Sequence, residues 1–225
     1  MELERLRLQV KEDNIKKIKN TTVLVVGLGG VGSYATESLT RAGIGKLIII
    51  DNDKIDITNL NRQLMTLHSN IGEYKTDVWD SRIKDINPNC EVIKITDFLT
   101  TDNIDIISKY KIDYIVDACD TIMTKKELIR YAVSNNIKII SSMGTGNKLE
   151  PSKLKIIDIR KTSYDPIAKI LRKYVVDNKI NSKVTVVSST EQPKKVEGTI
   201  SSISYVPSVA GILLTSYVIN DIINV

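Results

Sequence analysis

The sequence predicts an α/β fold: a Rossmann-like, mostly parallel sheet with helices on both faces, extended by additional C-terminal strands and helices. Two observations carry most of that expectation. A short apolar run, Val23 to Val26, leads into Gly27-Leu28-Gly29-Gly30-Val31-Gly32-Ser33 and a helical segment; a second run, Leu47 to Ile50, then ends on Asp51. Apolar runs and helical segments go on alternating as far as residue 143. Strands separated in this way must be joined by crossovers, which makes them parallel.

Residues 2–19 read as a charged amphipathic helix or a pair of turns, with Leu3, Leu6, Leu8, Val10, Ile15 and Ile18 as apolar positions. A strand follows at 22–27. The helix at 31–42 buries Val31, Tyr34, Ala35, Leu39 and Ala42, and Gly43-Ile44-Gly45 ends it in a glycine cap. The second strand is 46–51. The loop 52–70 is long and polar, the kind that tends to carry function or disorder. A helix from Gly72 to Asn87 stops at Asn87-Pro88. Then come a strand at 91–95, a short helix at 102–109, a strand at 112–118, a helix at 125–135 and a strand at 137–143. Beyond residue 146 the pattern changes. Strands at 154–159 and 184–188 flank a helix at 165–177, for which Asp165-Pro166 supplies N-cap and first turn. A last apolar helix spans 207–222. With no Pro/Gly/Ser-rich linker, residues 1–225 form one domain, divided into a nucleotide-binding core (1–145) and a substrate-side extension (146–225).

Composition narrows the function classes. Of 225 residues, 42% are hydrophobic, enough for an ordinary core. The two cysteines, Cys90 and Cys119, form no Cys-x-x-Cys pair. That argues against a disulfide framework or structural zinc and fits a reducing cytoplasm. The N-terminus is charged and lacks a secretory apolar run. The apolar stretch Val206 to Ile219 falls short of the ~20 residues a membrane span needs, so it reads as a buried helix. The net charge of +5 is unevenly placed: residues 1–150 hold 21 basic and 21 acidic side chains, residues 151–225 hold 11 and 6. An anionic partner such as nucleic acid, or a lysine-rich solvated surface, would account for it.

Gly27, Gly29 and Gly32 match the G-x-G-x-x-G fingerprint, which brings backbone amides close to phosphate at a helix N-terminus. Asp51, 24 residues after Gly27, suits a carboxylate bonding ribose hydroxyls. So far a dinucleotide oxidoreductase and a nucleotide-binding scaffold remain open. Asn59-x-x-Arg62-Gln63 favours a triphosphate, because hydride transfer has no evident need for a guanidinium there. Asp120 closes a strand where parallel sheets bind ligands and could hold magnesium; the alternative is a helix cap. Lys75 opposes the helix dipole in its first turn, which a phosphate ligand explains better than a solvated surface. Lys169, Arg172 and Lys173 share one helix face, either an RNA-phosphate contact or an ordinary exposed face. Asp117 and Cys119 read as structural and buried, and His68 carries no assigned role.

Gly27 to Ser33, Asp51-Asn52-Asp53, Asn59-x-x-Arg62-Gln63, Lys75 and Asp120 together resemble the adenylating ThiF/MoeB-like proteins related to ubiquitin-activating enzymes. The resemblance implies ATP and Mg2+ as cofactors and a carboxylate joined to AMP. It places Gly27, Gly29, Gly30, Gly32, Asp51 and Asp53 at the nucleotide, with Asp51 on the ribose. Asn59, Arg62, Gln63 and Lys75 would contact phosphates, and Asp120 would bind magnesium. Arg5 aligns with an arginine that such homodimers insert into the partner's ATP site. Ser141 to Lys148, Asp158 to Thr162, Asp165-Pro166, Val186 to Ser188 and Ser204 to Pro207 look like the tRNA threonylcarbamoyladenosine dehydratase subfamily. That implies a tRNA partner, a cyclisation through an acyl adenylate, a bound monovalent cation (K+ or Na+) and room for a sulfur-transfer protein partner. The alternative is a sulfur-carrier-protein adenylyltransferase acting on a C-terminal Gly-Gly carboxylate, disfavoured by the missing Cys-x-x-Cys pairs.

Overall fold

The computed structural model describes residues 3–194, 198 and 200–224. Two short helices, α1 (Glu4–Val10) and α2 (Glu12–Lys19), open the chain. They break at Lys11, whose φ is 67°. There follow β1 (Thr22–Val26), α3 (Gly30–Arg41), β2 (Lys46–Ile50), α4 (Lys75–Ile86), β3 (Glu91–Ile95) and β4 (Tyr114–Asp117). The second half holds α5 (Ile122–Ser134), β5 (Lys138–Ser142), β6 (Leu154–Asp158), α6 (Pro166–Asp177), β7 (Thr185–Ser189) and α7 (Tyr205–Ile223).

The strands form one seven-stranded sheet in the order β3-β2-β1-β4-β5-β7-β6. All neighbours are parallel except β6, an antiparallel edge on β7. The order reverses between β1 and β4, and ligands of open parallel sheets bind in the crevice beyond the strand ends at such a point. The glycine loop leaves β1 there, and Asp120 follows β4.

Both faces of the sheet are covered, which explains why its central strands are apolar throughout rather than alternating. Val23, Val25, Leu47 and Ile49 pack under α3, α4 and α7, with Trp79 and Leu214 in the same cluster. Their neighbours Leu24, Val26, Ile48 and Ile50 point the other way, against Leu128 and Ala132 of α5 and Leu171 and Val175 of α6. One sequence expectation needs correcting: the short helix at 102–109 is only a 3-10 turn, Ile104–Ile107. Asn103 accounts for this. Its side chain accepts from the Thr100 amide at 2.7 Å and donates to the Phe98 carbonyl at 3.0 Å, bonds that compete with helix formation.

By length and composition α7 could cross a membrane. In the fold it lies over α3, with Val206, Ala210, Leu214, Val218 and Ile222 buried at four-residue spacing. The crossing is close because Gly211 has no side chain. A β-carbon there would meet the Ala35 nitrogen and Tyr34 Cβ at 2.9 Å and the Val31 carbonyl nearer still. Gly211→Ala is therefore expected to cost about 1–3 kcal/mol of stability through overpacking, read as a lower denaturant midpoint at unchanged m-value.

Candidate active site

The glycines divide the work at the switch point. Gly27 has φ 86°, and a β-carbon on it would lie 2.8 Å from the Cys119 nitrogen. One on Gly32 would run into the Gly27 carbonyl. These two residues let β1, α3 and the turn after β4 meet. Gly29 and Gly30 face the cleft instead, beneath Gln63 and Arg62. Gly29 caps α3 without a side-chain bond, so the first amides of a 12-residue helix remain available to an anion.

The cleft, about 890 Å³, gathers most of the residues singled out from sequence: Gly27, Gly29, Gly30, Asp51, Asp53, Asn59, Arg62, Gln63, Lys75 and Asp120. Gly32 supports it from behind. Asp51 accepts from the Leu28 amide at 2.6 Å and from the Asp53 amide at 2.8 Å. This locks the glycine loop to the end of β2. Lys75 is 3% exposed, with its ammonium 2.7 Å from Asp53 and 3.7 Å from Asp51. Two carboxylates thus account for a cation at the head of α4, where sequence offered a phosphate ligand or a solvated surface lysine.

Burial pushes the Asp51 carboxyl above the usual aspartate range, outweighing Lys75 and the two amides. The folded protein therefore holds this proton more tightly than the unfolded chain. Asp51 ionisation costs stability as pH rises through that window, and acidification returns it. Protonation also removes an acceptor for ribose hydroxyls. ATP affinity should fall on acidification at a higher pH than an ordinary aspartate would dictate. Titrating nucleotide binding in wild type and Asp51→Asn checks this, since the variant's profile should lack that step.

Arg62 donates to the Thr58 carbonyl at 2.8 Å and to Asn61 Oδ1 at 2.9 Å, and has no carboxylate partner among the described residues. Gln63 is 7% exposed, and its Oε1 lacks a hydrogen-bond partner. Asn59 Oδ1 accepts from the Asp56 amide in a capping box, leaving its Nδ2 as a donor toward the cleft. A guanidinium without a carboxylate partner and the NH2 groups of Asn59 and Gln63 above a glycine loop suit phosphate oxygens, whereas Gln63 Oε1 calls for a donor. Asp120 is exposed at the cleft mouth, and α5 is capped at Thr121 without a side-chain bond, so Asp120 is not the helix cap. No cluster of three or more His, Cys, Asp or Glu occurs among the described residues. A lone carboxylate beside phosphates and water still suits magnesium.

Two buried ion pairs were not found from sequence. Lys125 is fully buried on the cleft floor, 3.1 Å from both Asp117 oxygens and 2.7 Å from the Ser142 carbonyl. Lys148 joins Asp165 at 2.8 Å and the Gly144 carbonyl at 2.5 Å. Asp117, read from sequence as structural, is buried and spent on the pair with Lys125. Burial of the Cys119 thiol, and then the Asp117 charge beside it, push it well up, and burial raises Cys90 to about 11, so neither is a ready nucleophile.

Arg5 does not reach this cleft. It lies on α1, beside Leu3, which packs on Gly43 beyond the far end of α3, about 18 Å from the glycine loop by helix rise. On α6, Lys169 is exposed and free of ion pairs among the described residues. Lys173 pairs with Asp177, and Arg172 donates to the Thr162 carbonyl and hydroxyl. Ile167 brings the start of this helix to the cleft wall.

Comparison with known proteins agrees with this geometry. The ThiF family model matches residues 3–220. The tRNA threonylcarbamoyladenosine dehydratase of Bacillus subtilis is 39% identical over 99% of this chain and 94% of its own length. The Escherichia coli tRNA N6-threonylcarbamoyladenosine dehydratase in complex with ATP superposes with a TM-score of 0.93 at 33% identity, covering 99% of this chain and 94% of that one. Its complex with AMP gives 0.91 over 97% and 92%. A glycine-lined cleft at the sheet's switch point and similarity along nearly the whole chain place this protein in the ThiF family, in its tRNA threonylcarbamoyladenosine dehydratase branch.

Proposed function

We propose that the protein cyclises N6-threonylcarbamoyladenosine in tRNA, using ATP and passing through an acyl adenylate. The observation that carries this is the Arg62 guanidinium over the glycine loop, without a carboxylate partner among the described residues, with the Gln63 Nε2 beside it. A carboxylate is a poor electrophile because its oxygen is a poor leaving group. Arg62, Lys75 and the first amides of α3 shield the phosphates, so the threonyl carboxylate oxygen can attack the α-phosphorus and expel pyrophosphate. Asp51 orients the ribose. Magnesium, when bound, would shield further charge from a position held by Asp120. The carbamoyl group then attacks the activated carbonyl, a proton is lost and AMP departs with the former carboxylate oxygen. The net change is loss of water from the nucleoside. Ring closure is intramolecular and gains from high effective molarity, so no enzyme nucleophile is required. That agrees with the raised thiols.

The distance of Arg5 from its own cleft is consistent with a homodimer in which Arg5 serves the partner's site. Residues 1–145 would carry the nucleotide and 146–225 the RNA side, with Lys169 the most available of the α6 cations. A bound monovalent cation, a sulfur-transfer partner and a cytoplasmic setting go with the same reading. Mass spectrometry of tRNA nucleosides after incubation with ATP tests it: the modified adenosine should lose one water only when the protein is present. Pyrophosphate release stimulated solely by a small protein ending in Gly-Gly would instead indicate sulfur-carrier adenylation.

A further inference from the structure

Tyr164 sits in the connection between the 3-10 turn Ile159–Lys161 and α6, 64% exposed and with φ 59°. The Asp165 amide donates to the Ser163 carbonyl at 2.7 Å. With positive φ at the central residue, this is the rare, strained form of γ-turn. A bulky L-residue is disfavoured in that conformation, where glycine or asparagine would sit easily.

Both flanks hold the turn in place. On one side Thr162 accepts from Arg172 at 2.6 and 2.7 Å. On the other, Asp165 caps α6 through the Ala168 amide at 2.9 Å and takes the buried Lys148 ammonium, which also binds the Gly144 carbonyl of the cleft wall. The tyrosine is thus projected into solvent from a rigid mount tied directly to the cleft. The strain yields no packing, since the ring stays exposed. Strain kept at an exposed aromatic points to a ligand.

The surroundings identify its chemistry. Lys161 and Lys169 are exposed on either side in sequence and form no ion pair among the described residues. They belong to the part of the chain that carries the whole net charge. An exposed ring with exposed cations a few residues away on either side in the chain matches single-stranded RNA, where bases stack on aromatics while phosphates meet basic side chains. We infer that Tyr164 is a stacking platform for an unpaired base of the tRNA loop beside the reacting nucleoside; this rests on the tRNA reading above.

The test measures binding of tRNA bearing the modified adenosine to wild type, Tyr164→Gly, Tyr164→Phe and Lys169→Gln over a salt series, with melting temperatures and ATP affinities alongside. Tyr164→Gly should weaken tRNA binding by roughly 5- to 100-fold. Its melting temperature should be unchanged or raised, because the strain is relieved, and its ATP affinity unaltered. Its salt slope should match wild type, since stacking neutralises no phosphate, whereas Lys169→Gln should lower the slope by about 1. Tyr164→Phe should bind like wild type. Wild-type affinity in Tyr164→Gly would overturn the inference alone, and lost affinity accompanied by a lower melting temperature would assign the tyrosine to the fold. Wild-type protein that captures a protein partner but does not bind the tRNA would overturn both the inference and the function beneath it.

Discussion

Arg62→Ala is expected to lower kcat/KM for ATP-dependent conversion of tRNA about 100- to 1,000-fold, the usual cost of removing one donor from developing transition-state charge. The fold should survive, because among the described residues Arg62 bonds only to the Thr58 carbonyl and to Asn61 and neutralises no buried carboxylate. Its melting temperature should stay within about 2 °C of wild type, as for other surface changes. Arg62→Lys restores the charge but not the planar fork and should recover only part of the activity. Steady-state kinetics with a thermal scan on the same samples decide the matter. Unchanged kcat/KM in Arg62→Ala would remove the guanidinium from the reaction.

Asp120→Ala should bring turnover to background at any magnesium concentration. This side chain is exposed and caps no helix, so its loss leaves no buried partner unsatisfied and predicts no change in stability. ATP binding measured without magnesium should be little altered, which separates loss of metal from loss of nucleotide. Chelation of magnesium in wild type should reproduce the variant's defect. Wild-type turnover in a folded Asp120→Ala protein would show that the metal, if used, is held elsewhere.

These two variants differ from Lys75. Its ammonium is buried against Asp51 and Asp53, so truncation would strand carboxylates and disturb the fold and the site together. Read as a sequence, Lys75 looked like a phosphate clamp set against a helix dipole. In three dimensions it first of all neutralises Asp53 and, farther off, Asp51, the acid that holds the glycine loop. Arg172 shows the same limit. Helical spacing put it on a basic face with Lys169 and Lys173, but spacing does not reveal that Thr162 lies within reach.

The amino-acid order alone determined the parallel sheet, the glycine turn, the acid after β2 and the carboxylate after β4. Each of these depends on residues close together in the chain or on the periodicity of burial. Only the tertiary structure decided what those groups touch. Lys125 and Asp117 are brought together with Ser142 by α5, β4 and β5, and Lys148 meets Asp165 between a cleft loop and the cap of α6. Charges paired across separate elements leave no local pattern. Their energies depend on burial and geometry that exist only once the sheet has assembled.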